Sequence, residues 1–434
     1  MILIYSHKLS SRLKFTFRQI FQEILGMSIR FTTDPEEFKA YIGGKLSYSH
    51  EAIEDELFFQ ARDLLFEKGI HNREIHPEYF GETLGFFKVS KRSVFPFDPF
   101  AASFYLLSRY EEYLPFKPDE HGRFPFRESV LGKADFIQKP WVEIWALEVA
   151  ELLKKKFPNL EFPTREFKAL STIDVDQAYA FKHKGMLRSF GTFGRQVFMG
   201  NFGGIIDQAK VWLNLKQDPF DTFNEAISLH RHHKIPCKFF FLVGDYGVYD
   251  QSIAYSHPKF RLAIKHISDY VEIGLHPSYR ADAHQGRIRG EKKRLEEIIH
   301  REIYQTRHHF LRIKLPETYR VLADLGIKED YSMGFAGHPG FRSGTSTPYY
   351  FYDLPYETTS QIKVHPFALM DVSLRGYLNL SPEEAMETVE KLIDEVKKVG
   401  GTFTSIWHNN SISDYGEWEG WKKVFVHQLE KMSS

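Results

Sequence analysis

The chain has 434 residues, which is long for a single hydrophobic core, so two domains are the default expectation. Hydrophobic residues make up 42% and charged residues 26%, a globular balance that argues against disorder. The 57 basic and 57 acidic residues cancel, so the overall charge favours neither a nucleic acid nor an anionic membrane as a partner.

The cysteine content and the lack of long apolar stretches further narrow the class of protein. The only cysteine is Cys237, which excludes an internal disulfide framework and a cysteine-based zinc finger. The N-terminus lacks the pattern of a secretory signal, and no stretch approaches the roughly 20 apolar residues of a membrane helix. We therefore expect a soluble, cytoplasmic protein with no membrane partner and no nucleic-acid partner. The sequence gives no indication of the oligomeric state.

Residues 1–165 have the pattern of a smaller α/β unit. Short apolar runs predict strands, and amphipathic stretches predict helices. The predicted strands cover residues 2–5 and 28–31, and the predicted helices cover residues 13–25, 100–113 and 141–156. Pro158 and Pro163 follow the last helix and indicate a linker, so we place a domain boundary at residue 165.

From residue 166 to residue 434, apolar β-rich runs alternate with helical segments. The predicted strands cover residues 169–173, 238–243, 271–275 and 402–407. Before the last strand, Ser381 and Glu384 form the capping box of a helix that has Pro382 at its first position. This alternation predicts a mostly parallel sheet or barrel, in which catalytic groups gather at the carboxyl ends of the strands.

Two carboxylates, Asp174 and Asp176, lie at the end of the first of these strands. Side chains two residues apart in a strand share one face. Neighbouring carboxylates repel each other unless a cation or a shared proton lies between them, so the pair suits a metal ligand beside a general base. A strand-end cap with a surface salt bridge is the alternative.

Histidines follow two of the other predicted strands. His276 comes directly after the strand over 271–275, and His408 follows the strand over 402–407. An imidazole in this position is a suitable ligand for Zn²⁺, and it can also serve as a general acid. A core histidine that is hydrogen-bonded within the fold would give the same pattern.

A cationic segment, Arg307-His308-His309, lies between these strands. Neighbouring histidines usually point in different directions, so we expect at most one of them to face a site. An arginine beside a catalytic carboxylate would hold that carboxylate ionised and oriented. Arg342 lies in a glycine-bracketed loop, which suits a substrate-orienting role. A charged surface turn is the alternative for both segments.

Taken in order, these pieces resemble the NodB-homology polysaccharide deacetylases, carbohydrate esterases that remove N-acetyl groups from sugars. The family's Thr-Phe-Asp-Asp motif is similar to residues 172–176, in which one residue separates the two aspartates. Its His-Ser/Thr-x-x-His motif matches at His276, with Arg280 in the place of the second histidine. Its arginine motif is similar to the segment at Arg307, and its Leu-x-His motif is similar to residues 406–408.

The variant segments look like those of divergent bacterial members of this family. Further segments of this kind occur in the N-terminal part, at residues 97–102, 108–113 and 119–124. The resemblance implies a distorted (β/α) barrel of the polysaccharide-deacetylase type, with fewer than eight strands, over residues 166–434. A smaller α/β domain over residues 1–165 precedes the barrel.

The resemblance also implies a metal centre with one divalent ion, for which we expect Zn²⁺. Asp176 and His276 are the implied ligands, although the extra residue between the two aspartates leaves open an exchange of roles with Asp174. For the third ligand, which the family takes from the position of Arg280, we predict His309. His284 is the second choice.

The catalytic roles follow from the same resemblance. Asp174 is the implied general base, Arg307 would orient this base, and His408 would protonate the departing amine. We expect contacts with the substrate from Tyr279, Arg342 and Trp407.

The implied reaction is the removal of an acyl group, in the first place acetyl, from an amide-bearing sugar or glycan precursor. Two alternatives stay open at this point. One is hydrolysis of a non-sugar amide by the same fold, and the other is an inactive barrel that binds a glycan or a protein. The expected partner is a carbohydrate or a small amide.

Overall fold

The computed structural model describes residues 1–184 and 202–434, together with Gly194 and Phe198. It shows a mixed α/β structure with two main sheets, one of four strands and one of nine. The four-stranded sheet belongs to the N-terminal part of the chain, and the nine-stranded sheet belongs to the C-terminal part.

The N-terminal part begins with a parallel sheet. Its strands are β1 (Ile2–Tyr5), β2 (Ile29–Thr32), β3 (Lys45–Ser49) and β4 (Phe58–Gln60). They lie in the order β2-β1-β3-β4, and a small antiparallel hairpin of β5 (Glu78–Phe80) and β6 (Thr83–Gly85) follows. The helices are α1 (Ser11–Phe17), α2 (Pro35–Ala40), α3 (Pro99–Leu107), α4 (Val130–Lys133) and α5 (Trp141–Lys156).

Nine strands form the large sheet of the C-terminal part. In chain order they are β7 (Lys168–Val175), β8 (Cys237–Phe241), β9 (Glu272–Leu275), β10 (Gln305–Thr306), β11 (Glu329–Asp330), β12 (Tyr349–Asp353), β13 (Thr358–Val364), β14 (Leu369–Met370) and β15 (Thr402–His408). They lie side by side in the order β12-β13-β11-β10-β9-β8-β7-β15-β14.

The mostly parallel sheet that the sequence predicts is confirmed, whereas a closed barrel is not shown. The strands from β13 to β14 are mutually parallel, and β12 lies antiparallel at one edge. Among the described residues, no pairing joins β14 to β12 or β13, so the sheet is open. The sheet also has nine strands where we expected fewer than eight. Three of them, β10, β11 and β14, have two residues each, too few to give a pattern in the sequence.

Helices lie between strands of the large sheet, and the last helix follows β15. They are α6 (Phe202–Trp212), α7 (Phe223–His233), α8 (Pro258–Ser268), α9 (Gln285–Ile299), α10 (Glu317–Asp324), α11 (Pro382–Lys398) and α12 (Lys422–Ser433). The predicted capping box is present at α11, where Ser381 accepts from the backbone of Glu384 and the Glu384 carboxylate accepts from the backbone of Ser381. Within the described part of the chain, no helix has both the length and the apolar composition of a membrane span.

Two predicted helices of the N-terminal part differ from the structure in their second halves. The helix predicted over 13–25 is α1 at its start and continues as a π-helix over Arg18–Ile24. The helix predicted over 100–113 ends with α3, and Tyr110–Tyr113 is a 3₁₀ turn. Arg109 interrupts it with a left-handed φ of 53°, and its buried guanidinium is paired with two neighbouring glutamates. Glu112 also pairs with Arg342 of the C-terminal part, so the ion cluster at this break in the helix combines local and tertiary contacts.

Apolar and polar contacts join the two parts of the chain. One hydrophobic core cluster includes residues of both sheets. In α5, the buried carboxylate of Glu143 accepts hydrogen bonds from two backbone N–H groups and three hydroxyls of residues 345–347. Glu112 binds the guanidinium of Arg342 through both of its oxygens, at 2.8 and 2.6 Å. The domain boundary at residue 165 stays a prediction.

Replacing Glu143 with alanine should destabilise the protein, because five donors of residues 345–347 lose one shared, buried acceptor. Since an unsatisfied buried donor costs about 1–3 kcal/mol, we expect a loss of about 3 kcal/mol or more in the free energy of unfolding, measured from the denaturant midpoint. Glu151→Ala, on the exposed side of the same helix, is the control and should leave the midpoint unchanged. Equal losses in the two variants would contradict the role of Glu143.

Candidate metal centre

The carboxyl edge of the large sheet brings together the residues that the sequence predicts to be catalytic or metal-binding. Parallel neighbours place their carboxyl ends along one edge, and β7, β9, β10 and β15 end here with polar residues. The residues that meet are Asp174, Asp176, His276, Arg307, His309 and His408. The contacts between them indicate which role each residue could take.

Three of these side chains are arranged as a metal centre. One ligand atom each from Asp176, His276 and His309 lies within 4.8 Å of the other two. The Nε2 atom of His276 is 3.1 Å from Oδ1 of Asp176, and the Nε2 atom of His309 is 3.3 Å from Oδ2 of Asp176. Ligand atoms around a tetrahedral Zn²⁺ are separated by about 3.3 Å, given bond lengths near 2.0–2.1 Å. The spacing therefore fits a small divalent cation.

The hydrogen bonds of His276 leave its second nitrogen available for such a cation. Its Nδ1–H donates to the carbonyl oxygen of Arg307 at 2.6 Å, so its Nε2 carries a lone pair. Among the described residues, neither this Nε2 nor the facing Oδ1 of Asp176 has a hydrogen-bond partner. Two acceptor atoms that face each other in a buried place repel, and a cation between them removes this cost.

His309 is oriented in the same way by a carboxylate that sequence reasoning missed. Its Nδ1–H donates to Oδ1 of Asp250 at 2.9 Å, which turns Nε2 towards Asp176. Burial alone lowers the pKa of His309, but the carboxylates of Asp176 and Asp250 raise it to about 9. A carboxylate that holds a histidine in this manner is the usual support of a metal ligand. The negative charge that favours the imidazolium equally favours a divalent cation.

Asp174 is held apart from the three ligands by Arg307. The buried guanidinium donates from Nη1 to Oδ1 of Asp174 at 3.0 Å and to Oγ1 of Thr172 at 2.6 Å. It also donates from Nε to the carbonyl oxygen of Tyr331 and lies 4.7 Å from the ring centroid of Phe240. A fixed cation of this kind keeps the Asp174 carboxylate oriented.

His408 faces the same centre from β15 and carries a proton. Its Nδ1–H donates to the buried carboxylate of Asp371, with distances of 2.9 and 3.1 Å to the two oxygens. Its Nε2 lies 3.8 Å from Oδ2 of Asp176. Although burial lowers the pKa of His408, the carboxylates of Asp371 and Asp176 raise it to about 10. The imidazolium is therefore the form that prevails at neutral pH.

A cavity of about 130 Å³ opens onto these side chains. At roughly 30 Å³ for each water molecule, it takes about four waters or one small acyl group. The N-terminal part contributes Arg123, which donates to the carbonyl oxygen of Phe310 at 3.0 Å and to the hydroxyl of Tyr377 at 2.9 Å. A larger cavity of about 990 Å³ lies around Lys168 at the amino edge of the sheet and contains none of the six residues.

The three residues predicted to contact the substrate lie in different surroundings. Tyr279 lies beside the centre, where its ring stacks on Tyr249 at 4.1 Å and its hydroxyl is 3.2 Å from Nδ1 of His121. Trp407 is fully buried and donates to Gln428 of α12, because neighbouring residues of a strand point to opposite faces. Arg342 is buried and bound by Glu112, away from the cavity.

The surroundings of three more predicted residues indicate how each is placed relative to the centre. His284 caps the N-terminus of α9 through its Nδ1 atom and lies outside the candidate ligand group of the described residues. Arg280 is exposed, so no side chain at this position completes the centre. Of the two neighbouring histidines, only His309 belongs to the candidate ligand group, and Nδ1 of His308 lies 3.9 Å from Oδ2 of Asp330.

Comparison with known proteins gives different results for the two parts of the chain. A family model described as a family of unknown function, DUF7033, matches residues 2–158, which is less than half of the chain. No curated protein matches the chain. The matched segment ends close to the end of α5 and includes Arg123.

Solved structures show similarity over a larger share of the chain. A protein from Mycobacterium smegmatis named as a polysaccharide deacetylase has 15% identity and a TM-score of 0.42, over 63% of this chain and 87% of its own. A mutant CE4 family pseudoenzyme with restored enzymatic activity has 9% identity and a TM-score of 0.32, over 62% of each chain. The polysaccharide deacetylase of Bacillus cereus has 9% identity and a TM-score of 0.31, over 61% of this chain and 87% of its own. Similarity at this level leaves the activity to be argued from the site.

The geometry predicts how metal content depends on the two candidates for the third ligand. We expect the untagged protein, dialysed against Zn²⁺ and then against buffer, to retain about one ion per chain. His309→Ala should lose most of this metal, because it removes one of three ligands, whereas His284→Ala should retain it. Elemental analysis by mass spectrometry is the measurement. Loss of metal in His284→Ala with retention in His309→Ala would reverse the assignment.

Proposed function

We propose that the protein is a metal-dependent hydrolase that removes an acyl group, most simply acetyl, from an amide-bearing sugar or glycan precursor. The observation that carries the proposal is the arrangement at the carboxyl edge of the sheet. Asp174 is fixed by Arg307 next to the group of Asp176, His276 and His309, and His408 brings a proton to the same cavity. Amide hydrolysis needs a base, an electrophilic centre and an acid in one place.

Each residue then has a defined task in the reaction. A divalent cation, which we take to be Zn²⁺, supplies a Lewis acid that polarises the amide carbonyl and acidifies a water. Asp174 accepts a proton from the attacking water, and Arg307 keeps this carboxylate oriented. When the C–N bond breaks, His408 transfers the proton on Nε2 to the nitrogen of the departing amine.

The contacts favour Asp174 as the base and Asp176 as the ligand over the exchanged assignment. Both oxygens of Asp176 face histidine nitrogens at 3.1 and 3.3 Å. Asp174 lies 3.9 Å from the nearest of these nitrogens, and its other oxygen is engaged by Arg307. In the family that the sequence resembles, the third ligand is a histidine at the position where this chain has Arg280. In this chain, His309 takes the place of that third ligand.

A groove next to the centre suits a sugar substrate. It has a volume of about 980 Å³ and is lined by Tyr246, Tyr249 and Tyr279, among other residues. Asp250, whose carboxylate orients His309, also lines this groove, which places the groove on the Nδ1 side of that histidine. Aromatic faces with polar neighbours bind the apolar faces of sugar rings, and the small cavity over the metal centre suits an acetyl group. The predicted cytoplasmic location is part of the proposal.

Release of acetate and free amine from N-acetylated sugars by the Zn²⁺-loaded protein tests this proposal. Asp174→Asn should reduce kcat/KM by at least about 100-fold while metal content stays at the wild-type level, because it removes the base and keeps the ligands. Asp394→Asn, which changes an exposed carboxylate on α11 outside the groove and the cavity, serves as the matched control.

The outcomes separate the alternatives. Turnover of simple amides with none of N-acetylated sugars would favour the non-sugar hydrolase. A protein that binds no metal and releases no amine would contradict hydrolysis and favour a binding function.

The pH dependence of kcat/KM should reveal the ion pair between His408 and Asp371. Although burial lowers the pKa of His408, the Asp371 carboxylate raises it, so the wild-type acid stays protonated into the alkaline range. Asp371→Asn removes this negative charge, and the alkaline limb of kcat/KM should move to lower pH. An unchanged alkaline limb would show that His408 is not the acid. Asp414→Asn, in the exposed turn after β15, is the control and should leave the profile as it is.

A further inference from the structure

A second cavity, which we call the side cavity, adjoins the cavity over the metal centre. It has a volume of about 170 Å³ and is lined by residues of both parts of the chain. Four residues line both cavities: Arg123, Leu311, Ala336 and Tyr377. Walls that are shared to this extent place the two cavities side by side. The function proposed above gives the side cavity no role.

The cavity over the centre has a polar side and an apolar side. The polar side carries Asp174, His408 and the three proposed ligands. The apolar side includes Leu311, Ala336 and Met370, which belong to a small hydrophobic cluster of their own. Leu311 and Ala336 also line the side cavity. An acyl group whose carbonyl carbon lies at the metal centre therefore places its alkyl end on the apolar side, next to the side cavity.

Apolar side chains from both parts of the chain form the wall of the side cavity. Phe124 and Phe126 come from the N-terminal part, and Leu311, Phe335 and Ala336 come from the C-terminal part. Phe124, Leu311 and Phe335 are buried, with 5%, 4% and 2% of their surface accessible. A concave site of this composition binds an apolar group, because that group leaves water when it enters.

The buried polar side chains of the side cavity are already bound within the protein. Arg123 donates to the carboxylate of Asp119 at 2.7 Å and to the hydroxyl of Tyr377 at 2.9 Å. Arg342, which lines only the side cavity, is bound by both oxygens of Glu112. Among the described residues that line this cavity, none has a buried side-chain nitrogen or oxygen without a partner. The cavity therefore suits an apolar ligand better than a polar one.

From these observations we propose that the side cavity binds the alkyl chain of the acyl group, so that the preferred substrate is an amino sugar with an N-acyl chain of about four to six carbons. At roughly 30 Å³ for each group of the size of a water molecule or a methylene, about five such groups fill the side cavity. Hydrolysis then releases a short fatty acid and the free amino sugar. This inference rests on the proposed hydrolase function. It gives the N-terminal part, through Phe124 and Phe126, a role in the choice of the acyl group.

Amine release from a series of N-acyl glucosamines by the Zn²⁺-loaded, full-length protein tests the inference. We expect kcat/KM to rise from N-acetyl through N-butanoyl to N-hexanoyl glucosamine, by at least about tenfold overall. The reason is that each methylene buried on binding strengthens an interaction by up to about fourfold. A value for N-hexanoyl glucosamine equal to or below that for N-acetyl glucosamine would overturn the inference and leave the hydrolase function in place.

A variant that fills the side cavity should remove this preference. Gly337 follows β11 and lines the side cavity but not the cavity over the centre. A Cβ atom there would lie 3.7 Å from Tyr377 and 3.8 Å from Phe126, an ordinary contact, and the backbone is not left-handed. Gly337→Leu should lower the ratio of kcat/KM for hexanoyl to that for acetyl by at least about tenfold. Ala40→Leu, at an exposed alanine of α2, is the control and should leave the ratio unchanged.

A second variant acts in the opposite direction, which a folding defect would not do. Phe126→Ala enlarges the side cavity, so kcat/KM for N-octanoyl glucosamine should rise relative to that for N-hexanoyl glucosamine. An unchanged or lower ratio would contradict the placement of the alkyl chain.

Calorimetry with Asp174→Asn distinguishes a failure of this inference from a failure of the proposed function. This variant should bind N-hexanoyl glucosamine more tightly than N-acetyl glucosamine without turning either over. If the wild type hydrolyses no N-acyl sugar, the proposed function fails, and tighter binding of the hexanoyl sugar would still support the side cavity as an acyl site. Equal binding of the two sugars would overturn the inference.

Discussion

The constraint on which the centre depends is the meeting of three lone-pair donors around Asp176. In the neutral tautomers that their Nδ1 hydrogen bonds allow, two histidine nitrogens offer lone pairs and face the oxygens of a carboxylate at 3.1 and 3.3 Å. Without a positive charge between them, this arrangement is repulsive. A proton can relieve it in part, but only a cation satisfies all three atoms at once. The surrounding hydrogen bonds keep these atoms in place.

Arg307 connects the proposed ligands with the proposed base. Its carbonyl oxygen accepts from Nδ1 of His276 and fixes the tautomer of that ring, while its guanidinium holds Asp174. One residue thus sets both the direction of a proposed ligand nitrogen and the orientation of the proposed base. A change that moves the backbone at this position would disturb both functions together, which explains why the arginine is fully buried and held by the carbonyl oxygen of Tyr331 as well.

The local sequence pattern was sufficient to predict the site residues that directly follow strands. It was insufficient to predict those whose place depends on tertiary contacts. Asp174, His276 and His408 could be predicted because apolar parallel strands carry the residues at their carboxyl ends to one edge. Trp407 was predicted on the wrong face, although the alternation of a strand already separates it from His408. Asp371 directly follows the apolar residues of β14, a signal that could have identified it. The pairing of Asp250 with His309 spans 59 residues and leaves no trace in the local sequence.

The N-terminal part of the chain contributes to the centre through Arg123, which bonds the carbonyl oxygen of Phe310. Phe310 and Leu311 have left-handed φ angles of 58° and 56°, a conformation that costs roughly 1–2 kcal/mol for a non-glycine residue. Such a bend persists only where neighbouring groups hold it. It turns the chain directly after His309, so the contact from Arg123 supports the orientation of a proposed metal ligand. The two parts of the chain therefore form one site, even though the sequence pattern divides them at residue 165.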